Sequence, residues 1–190
     1  MQCLLRCIMH KGMNTITIRK STEQDLETML AIYAYARKVM VENGNPNQWA
    51  QNNWPPEDLL KQNIAEGISY VCLSEGRVVG TFVFIAGKDT EPSYRVIEDG
   101  AWLDDSSYGV IHRIASDGTV KGLGEFCINW CLERCGHHMR IDTHPDNKAM
   151  QRLMEKCGFT RCGIIHVTED PYPRIAYEMI PRERYRVNAT

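Results

Sequence analysis

Val110-Ile111-His112-Arg113-Ile114-Ala115-Ser116, then Asp117-Gly118-Thr119-Val120-Lys121-Gly122-Leu123-Gly124 and a helical run to Cys135, is the stretch that decides how this chain folds. A run rich in β-branched residues gives way to a glycine-bearing loop, and the loop opens a helix. The unbonded amides at the start of such a helix, and its dipole, favour a phosphate-rich ligand. A second strand–helix unit follows: Met139-Arg140-Ile141-Asp142-Thr143-His144, then Pro145-Asp146-Asn147 and a helix that ends at Gly158-Phe159. Two such units side by side make a cleft for a long ligand.

The loop has no Gly-x-x-x-x-Gly-Lys-Ser/Thr, so it is not the nucleotide P-loop. It also lacks the three-glycine dinucleotide fingerprint, and no Asp or Glu closes the expected unit. A nucleotide-binding protein is therefore disfavoured. The loop resembles the acyl-CoA loop of the GCN5-related N-acetyltransferases, the GNAT family. That pattern is Arg or Gln, two residues, Gly, one residue, then Gly or Ala. Here it falls on Thr119-Val120-Lys121-Gly122-Leu123-Gly124, with Thr119 in place of the Arg or Gln. Asn147 and Gly158-Phe159 match the family's Asn after the fifth strand and its Gly-Phe helix end. The resemblance runs from Thr15 to Met179.

The flanking sequence reads as elements in the same order. Thr15 to Arg19 alternates as a strand. Ser21-Thr22-Glu23-Gln24-Asp25 starts a helix that runs to about Val41, and Pro55-Pro56-Glu57-Asp58 opens a second, to about Ala65. Ile68 to Leu73 and Val78 to Ile85 form a hairpin across Ser74-Glu75-Gly76-Arg77. Gly87 to Ser107 is a long connection, of the kind that is usually functional or partly structured. Strand Tyr108 to Ala115, helix Gly122 to Cys135, strand His138 to Thr143 and helix Asn147 to Cys157 make the core unit. Cys162 to Val167 and Arg174 to Met179 close the chain as a hairpin. The expected fold class is α/β, with a mixed central sheet flanked by helices, the GNAT-like acyl-CoA N-acyltransferase fold.

A chain of 190 residues fits one domain with a sizeable core. Lys plus Arg is 22 against 24 Asp plus Glu, which argues against a nucleic-acid binder, and no apolar run approaches a membrane span. The eight cysteines sit mostly in apolar patterns, which fits reduced thiols in a cytoplasm. Cys127, Cys131 and Cys135 share a helix face and are expected to pack it on the sheet. Residues 1–12 read as a tail or a misassigned start, with Met13 as the alternative start. Residues 13–181 read as a single acetyltransferase domain, and 182–190 as a charged tail.

The resemblance implies an enzyme that moves an acetyl group from acetyl-CoA, its acyl-donor cosubstrate, to a primary amine by direct attack in a ternary complex. It assigns Thr119, Val120, Lys121, Gly122, Leu123 and Gly124 to the pyrophosphate. It assigns the backbone around His112 to Ala115, with Ile114 and Ala115, to the pantetheine arm, and places Asn147 near the pantetheine and sulfur. Glycines at 122 and 124 permit close backbone approach, and Lys121 adds a charge.

The general base stays open. The family's Glu position falls near Tyr108, while strand parity puts Tyr108, Val110, His112 and Ile114 on one face. His112 has the right intrinsic chemistry, and Glu98, Asp99 or a relaying water are alternatives. The family's Tyr before Gly-Phe is replaced by Met154, leaving Tyr177 as a candidate acid. Trp49, Trp54, Tyr108 and His144, with Asn45 and Trp102, are candidates to wall an acceptor pocket. The acceptor is a small-molecule or peptide amine, with no nucleic acid or membrane partner expected. Dimers are common in the family. A non-catalytic CoA-binding module with the same fold is the rival reading.

Overall fold

The computed structural model describes residues 15–181. The two expected tails, Met13, Cys3 and Cys7 lie outside the described residues. The element order is β1 (Ile16–Lys20), a 3-10 turn (Glu23–Asp25), α1 (Leu26–Glu42), α2 (Glu57–Ala65), β2 (Ser69–Ser74), β3 (Arg77–Gly87), a 3-10 turn (Pro92–Arg95), β4 (Tyr108–Ser116), α3 (Leu123–Leu132), β5 (Met139–Thr143), α4 (Lys148–Cys157), β6 (Thr160–His166) and β7 (Pro173–Met179). Every expected strand and helix is present, with ends shifted by a few residues. The second 3-10 turn lies inside the long connection and gives it the partial structure that its length predicts.

The strands form one mixed sheet in the order β1-β2-β3-β4-β5-β7-β6. All neighbours are antiparallel except β4 and β5. That parallel pair meets only at Gly109↔Met139 and Val110↔Arg140. Beyond Val110 the two strands part, so β4 from Ile111 onward has no ladder partner on the β5 side. The parting opens a gap in the middle of the sheet at the C-terminal ends of both strands, where α/β proteins place ligands.

One face of the sheet is covered by α3 and α4. Phe82, Phe84, Ile111, Cys127, Cys131, Ile141 and Met154 are buried together there. The three cysteine positions follow the packing expectation: Cys127 and Cys131 are in this core and Cys135 is half-buried. Burial raises the thiol pKa of Cys135 to about 11, which keeps it protonated. The other face is divided. Helices α1 and α2 cover β1 to β4 through Met29, Ile32, Tyr33, Leu60 and Val71. The long connection covers β4 to β7 through Tyr94, packed with Tyr108, Val110, Ile165 and Ala176.

A buried ionic cluster fastens that connection to the sheet. Glu178 on β7, fully buried, accepts from Arg140 Nε at 2.8 Å and bonds His138 Nε2 at 2.7 Å. It also accepts from the amide of Leu103, and Arg140 Nη2 donates to the Asp104 carbonyl at 2.6 Å. The Arg140 guanidinium lies over the rings of Trp102 and Tyr108, 4.3 and 4.2 Å from their centroids. A buried pair of this kind is costly to break because it leaves an unpaired charge in a dry interior.

Candidate active site

Strand β4 carries a bulge where the sheet opens. Val83 pairs with His112 and Thr81 with Ala115, so one residue of β3 faces two of β4. Arg113 absorbs the extra length with φ +52°, an unusual conformation for a side-chain-bearing residue. Tyr33 of α1 holds the distortion by donating its hydroxyl to the Arg113 carbonyl at 2.9 Å. Burial raises the Tyr33 pKa to about 12, so it remains a donor. The bulge corrects the simple parity reading. His112 stays on the face of Tyr108 and Val110, but Ile114 turns to the opposite face and packs with the α3 side, while Ala115 joins the α1–α2 core.

The gap between β4 and β5 runs into a cavity of about 100 Å³. Its floor is β4 from Ile111 to Ile114, with Asp142 and Thr143 of β5 and Arg174 of β7. One wall is Met40, Gln48, Trp49 and Trp54, from the end of α1 and the loop after it. The facing wall is Glu91 and Ser93 of the long connection, and Asn147 and Met150 of α4 close the end nearest that helix.

His112 points into this space, and its Nε2 lies 2.8 Å from Glu91 Oε2. Burial alone would raise the Glu91 pKa. The bond from His112, the charge that ring carries when protonated, and two bonds from the Ser93 amide and hydroxyl outweigh that, and hold Glu91 at about 2. An ionised carboxylate accepts only, so Nε2 carries the proton in this bond, and the tautomer in which the ring is neutral has its lone pair on Nδ1. A proton on an incoming amine has an acceptor there.

Behind it, Tyr94 donates to Asp142 at 2.8 Å, and Asp142 and Asp170 both pair with Arg174. Asn147 caps α4, accepting from the Met150 amide at 3.0 Å, and donates to Gln48 at 2.9 Å. Gln48 also accepts from Asn45 at 2.8 Å. The Asn thus ties the loop after α1 to the start of α4, across the mouth of the gap.

The loop before α3 has the features a phosphate needs. Helix α3 has Gly122 at its N-cap with φ +77°, and no side chain caps it. Nothing lies within 4 Å of the place where a Cβ on Gly122 would stand, so its backbone is open to approach. Gly124 has another reason: a Cβ there would meet Leu153 of α4 at 2.9 Å, so this glycine lets α3 and α4 pack. Thr119 is exposed and turned inward onto Asp117, which accepts from its amide at 2.9 Å and its hydroxyl at 2.6 Å. Arg77, from the start of β3, reaches the same spot and bonds Asp117 at 3.0 Å and Thr119 Oγ1 at 3.2 Å. A guanidinium therefore stands at the loop even though the loop's own first position is Thr. Val120, Lys121 and Leu123 complete the turn, with Lys121 exposed.

These features point to one family. A model of the GNAT acetyltransferase domain matches residues 15–160. This chain belongs to the GNAT acetyltransferase family. A GNAT-family acetyltransferase from Streptococcus agalactiae is 26% identical with a TM-score of 0.78, covering 88% of this chain and 96% of that one. A GNAT-family acetyltransferase from Listeria monocytogenes shares the fold at 16% identity and a TM-score of 0.66, over 90% of this chain and 99% of that one. The loading GNAT-like domain of CurA from Lyngbya majuscula has a TM-score of 0.62 at 11% identity, over 87% and 97%. No curated protein matches the chain. The family and fold support acyl transfer. Among the described residues no helix is long and apolar enough to cross a membrane, and no group of three His, Cys, Asp or Glu is placed to hold a metal ion.

Set against this GNAT site, the sequence candidates divide. His112, Ile114, Asn147, Trp49 and Trp54 line the cavity. Glu98 does not: it is exposed, bridges to Ile164 through its backbone and sits 3.3 Å from His166. Tyr177 lies in the core on the α4 side, away from the cavity. Tyr108 is buried beneath Arg140, and His144 is buried beside the cavity against Tyr172. Glu91, Arg113, Asp142 and Arg174 were missed. Glu91 precedes Pro92 in a connection with no periodicity, and only the fold carries it to His112.

Proposed function

We propose that this chain is an N-acetyltransferase that moves an acetyl group from acetyl-CoA to the primary amine of a small molecule or peptide, by direct attack in a ternary complex. The observation that carries this reading is the His112–Glu91 pair at the floor of a cavity opened by the parting of β4 and β5.

The residues present fit the cosubstrate. The open backbone at Gly122, the uncapped start of α3 and the side chains of Lys121 and Arg77 suit a pyrophosphate. The unpaired edge of β4 beyond Val110 suits the amide-bearing pantetheine arm. Bound there, acetyl-CoA supplies an activated thioester.

The chain's residues do the rest. Trp49 and Trp54 wall off water and orient the acceptor. His112 takes a proton from the ammonium form or from the attacking amine through Nδ1. Glu91 holds the ring in that tautomer and balances the charge the ring gains, as the carboxylate of a catalytic triad does. Met154 fills the position where the family often has a Tyr and is fully buried, so no side-chain acid acts from that point of α4.

Calorimetric titration with acetyl-CoA, CoA and ATP, followed by thiol release with an amine panel, tests the reading. Selective acetyl-CoA binding with amine-dependent thiol release is expected. Binding without turnover on any amine would favour a non-catalytic CoA-binding module, and preference for ATP would sink both readings.

A further inference from the structure

Arg113 is the one charged side chain on the cavity floor with no ion pair among the described residues. The other floor charges are matched. His112 pairs with Glu91, and Arg174 pairs with Asp142 and Asp170. Arg113 donates Nη2 to Asn63 of α2 at 2.8 Å, while its Nε is buried without a partner. A guanidinium stays charged at any physiological pH, even where burial lowers its pKa as it does here against the opposing pull of Tyr33, Glu169, Glu91 and Glu66. Burying a charge with an unsatisfied donor is costly, and the bulge that puts it there is itself strained. The fold bears both costs at the residue next to the candidate base.

We infer that the acceptor carries a carboxylate on the same small molecule as its amine, as an amino acid does, and that Arg113 binds that carboxylate while His112 faces the amine. The inference rests on the acyl-transfer reading above. Guanidinium and carboxylate match in shape and can pair through two bonds. The choice of carboxylate over phosphate follows from the surroundings. Glu91, Asp142, Glu169 and Asp170 all line the cavity, and a dianion would face them with, among the described residues, one cation outside an ion pair to offset it. A monoanion matches that single charge. The exposed Glu169 has no ion pair among the described residues and lines the same cavity, so a cationic group elsewhere on the acceptor would also find a partner.

Three matched series test this by thiol release: amino acids, their amides and aminoalkyl phosphates. The wild type is expected to favour amino acids over amides by about 10²-fold or more in kcat/KM, mainly through KM. Arg113→Gln should bring that ratio close to one, and Arg113→Lys should restore part of it. A wild-type ratio near one overturns the inference. So does a uniform loss on both series in Arg113→Gln with the ratio preserved, which marks a structural role. Preference for aminoalkyl phosphates overturns the choice of carboxylate. Where no amine is turned over, acyl transfer to amines fails as a reading and binding decides the inference by itself. Calorimetry on CoA-loaded protein should then show amino-acid binding in the wild type that Arg113→Gln lacks. Equal binding in both proteins, or none in the wild type, overturns it.

Discussion

His112 Nε2 stands 2.8 Å from Glu91 Oε2, joining a strand of the central sheet to the connection that folds over it. The two are 21 residues apart in sequence, and each needs the other. The carboxylate fixes the tautomer of the ring, and the ring outweighs the effect of burial on the carboxylate. His112→Ala should lower kcat by about 10²- to 10⁴-fold with little change in acetyl-CoA affinity. Steady-state kinetics beside calorimetry would check this. Equal loss of cofactor binding in a folded variant would place His112 in the cofactor site instead.

Glu91 also predicts an acid-sensitive term in stability. Its folded pKa of about 2 lies below the ordinary carboxylate value of 4.5. The unfolded chain therefore binds the proton first as pH drops, and the contribution, present in full above 4.5, is lost as pH falls toward 2. Denaturant unfolding at pH 7 and pH 3 should show a smaller acid loss in Glu91→Gln than in the wild type. Parallel curves would mean the pair adds nothing to the folded state.

Which parts of this site were legible in the sequence follows from the range of the forces involved. Periodicity and glycine placement are local, so the strands, the helices and the loop from Thr119 to Gly124 could be read directly. His112 falls on the face that parity predicts, because strand parity holds from Tyr108 as far as the bulge. Parity then failed at Ile114, since the left-handed turn at Arg113 is held by a hydroxyl 80 residues away on α1. Glu91 and Arg174 could not be read at all. Their roles depend on which connection lies over which strand, and no local pattern records that. Glu98 reads as an acidic candidate in the long connection, but its backbone pairs with Ile164 and its side chain does not line the cavity.

At the loop before α3, Gly122 and Arg77 should separate by variant. Gly122→Val meets no side chain in the folded protein but fills the open backbone and strains a positive φ. It should abolish acetyl-CoA binding and cost about 1 kcal/mol or somewhat more in stability. Arg77→Ala should weaken acetyl-CoA binding by about 10-fold, and less in high salt, because an exposed cation acts through a screened charge. Calorimetry at low and high salt reads both. An unchanged affinity in Arg77→Ala would mean that Asp117 alone occupies that guanidinium.

His144 should make stability fall on mild acidification. Its ring is buried, Nδ1 accepts from the Asp146 amide at 3.0 Å, and Nε2 has no partner among the described residues. Burial and then Arg174 lower its pKa, with Asp146 and Asp170 opposing. With the folded pKa below 6.5, the unfolded chain binds more protons just under that value, so stability drops as pH falls from 6.5. His144→Gln keeps a side chain of similar polarity without the titration. The wild-type Tm should decline more steeply than the variant's between pH 7.5 and pH 5.5. Matching slopes would show that the ring takes its proton as readily folded as unfolded.

The last prediction concerns how Glu91 is kept in place. The connection that carries it is pinned at its far end, where Glu178 accepts from the Leu103 amide while bonding Arg140 and His138. Glu178→Ala leaves Arg140 buried without its main partner and should cost about 3–5 kcal/mol. Glu178→Gln retains an acceptor for Arg140 and the Leu103 amide and should cost less. If the pinning serves the site as well as the fold, Glu178→Gln should lower kcat while acetyl-CoA affinity holds, because Glu178, Arg140 and His138 share no bond with the loop before α3 among the described residues. Adding Glu91→Gln to Glu178→Gln should then lower kcat by less than the product of the two separate effects, since both act through the one His112 contact. Independent, multiplicative losses would mean that Ser93 and the Tyr94 core hold Glu91 without help from Glu178.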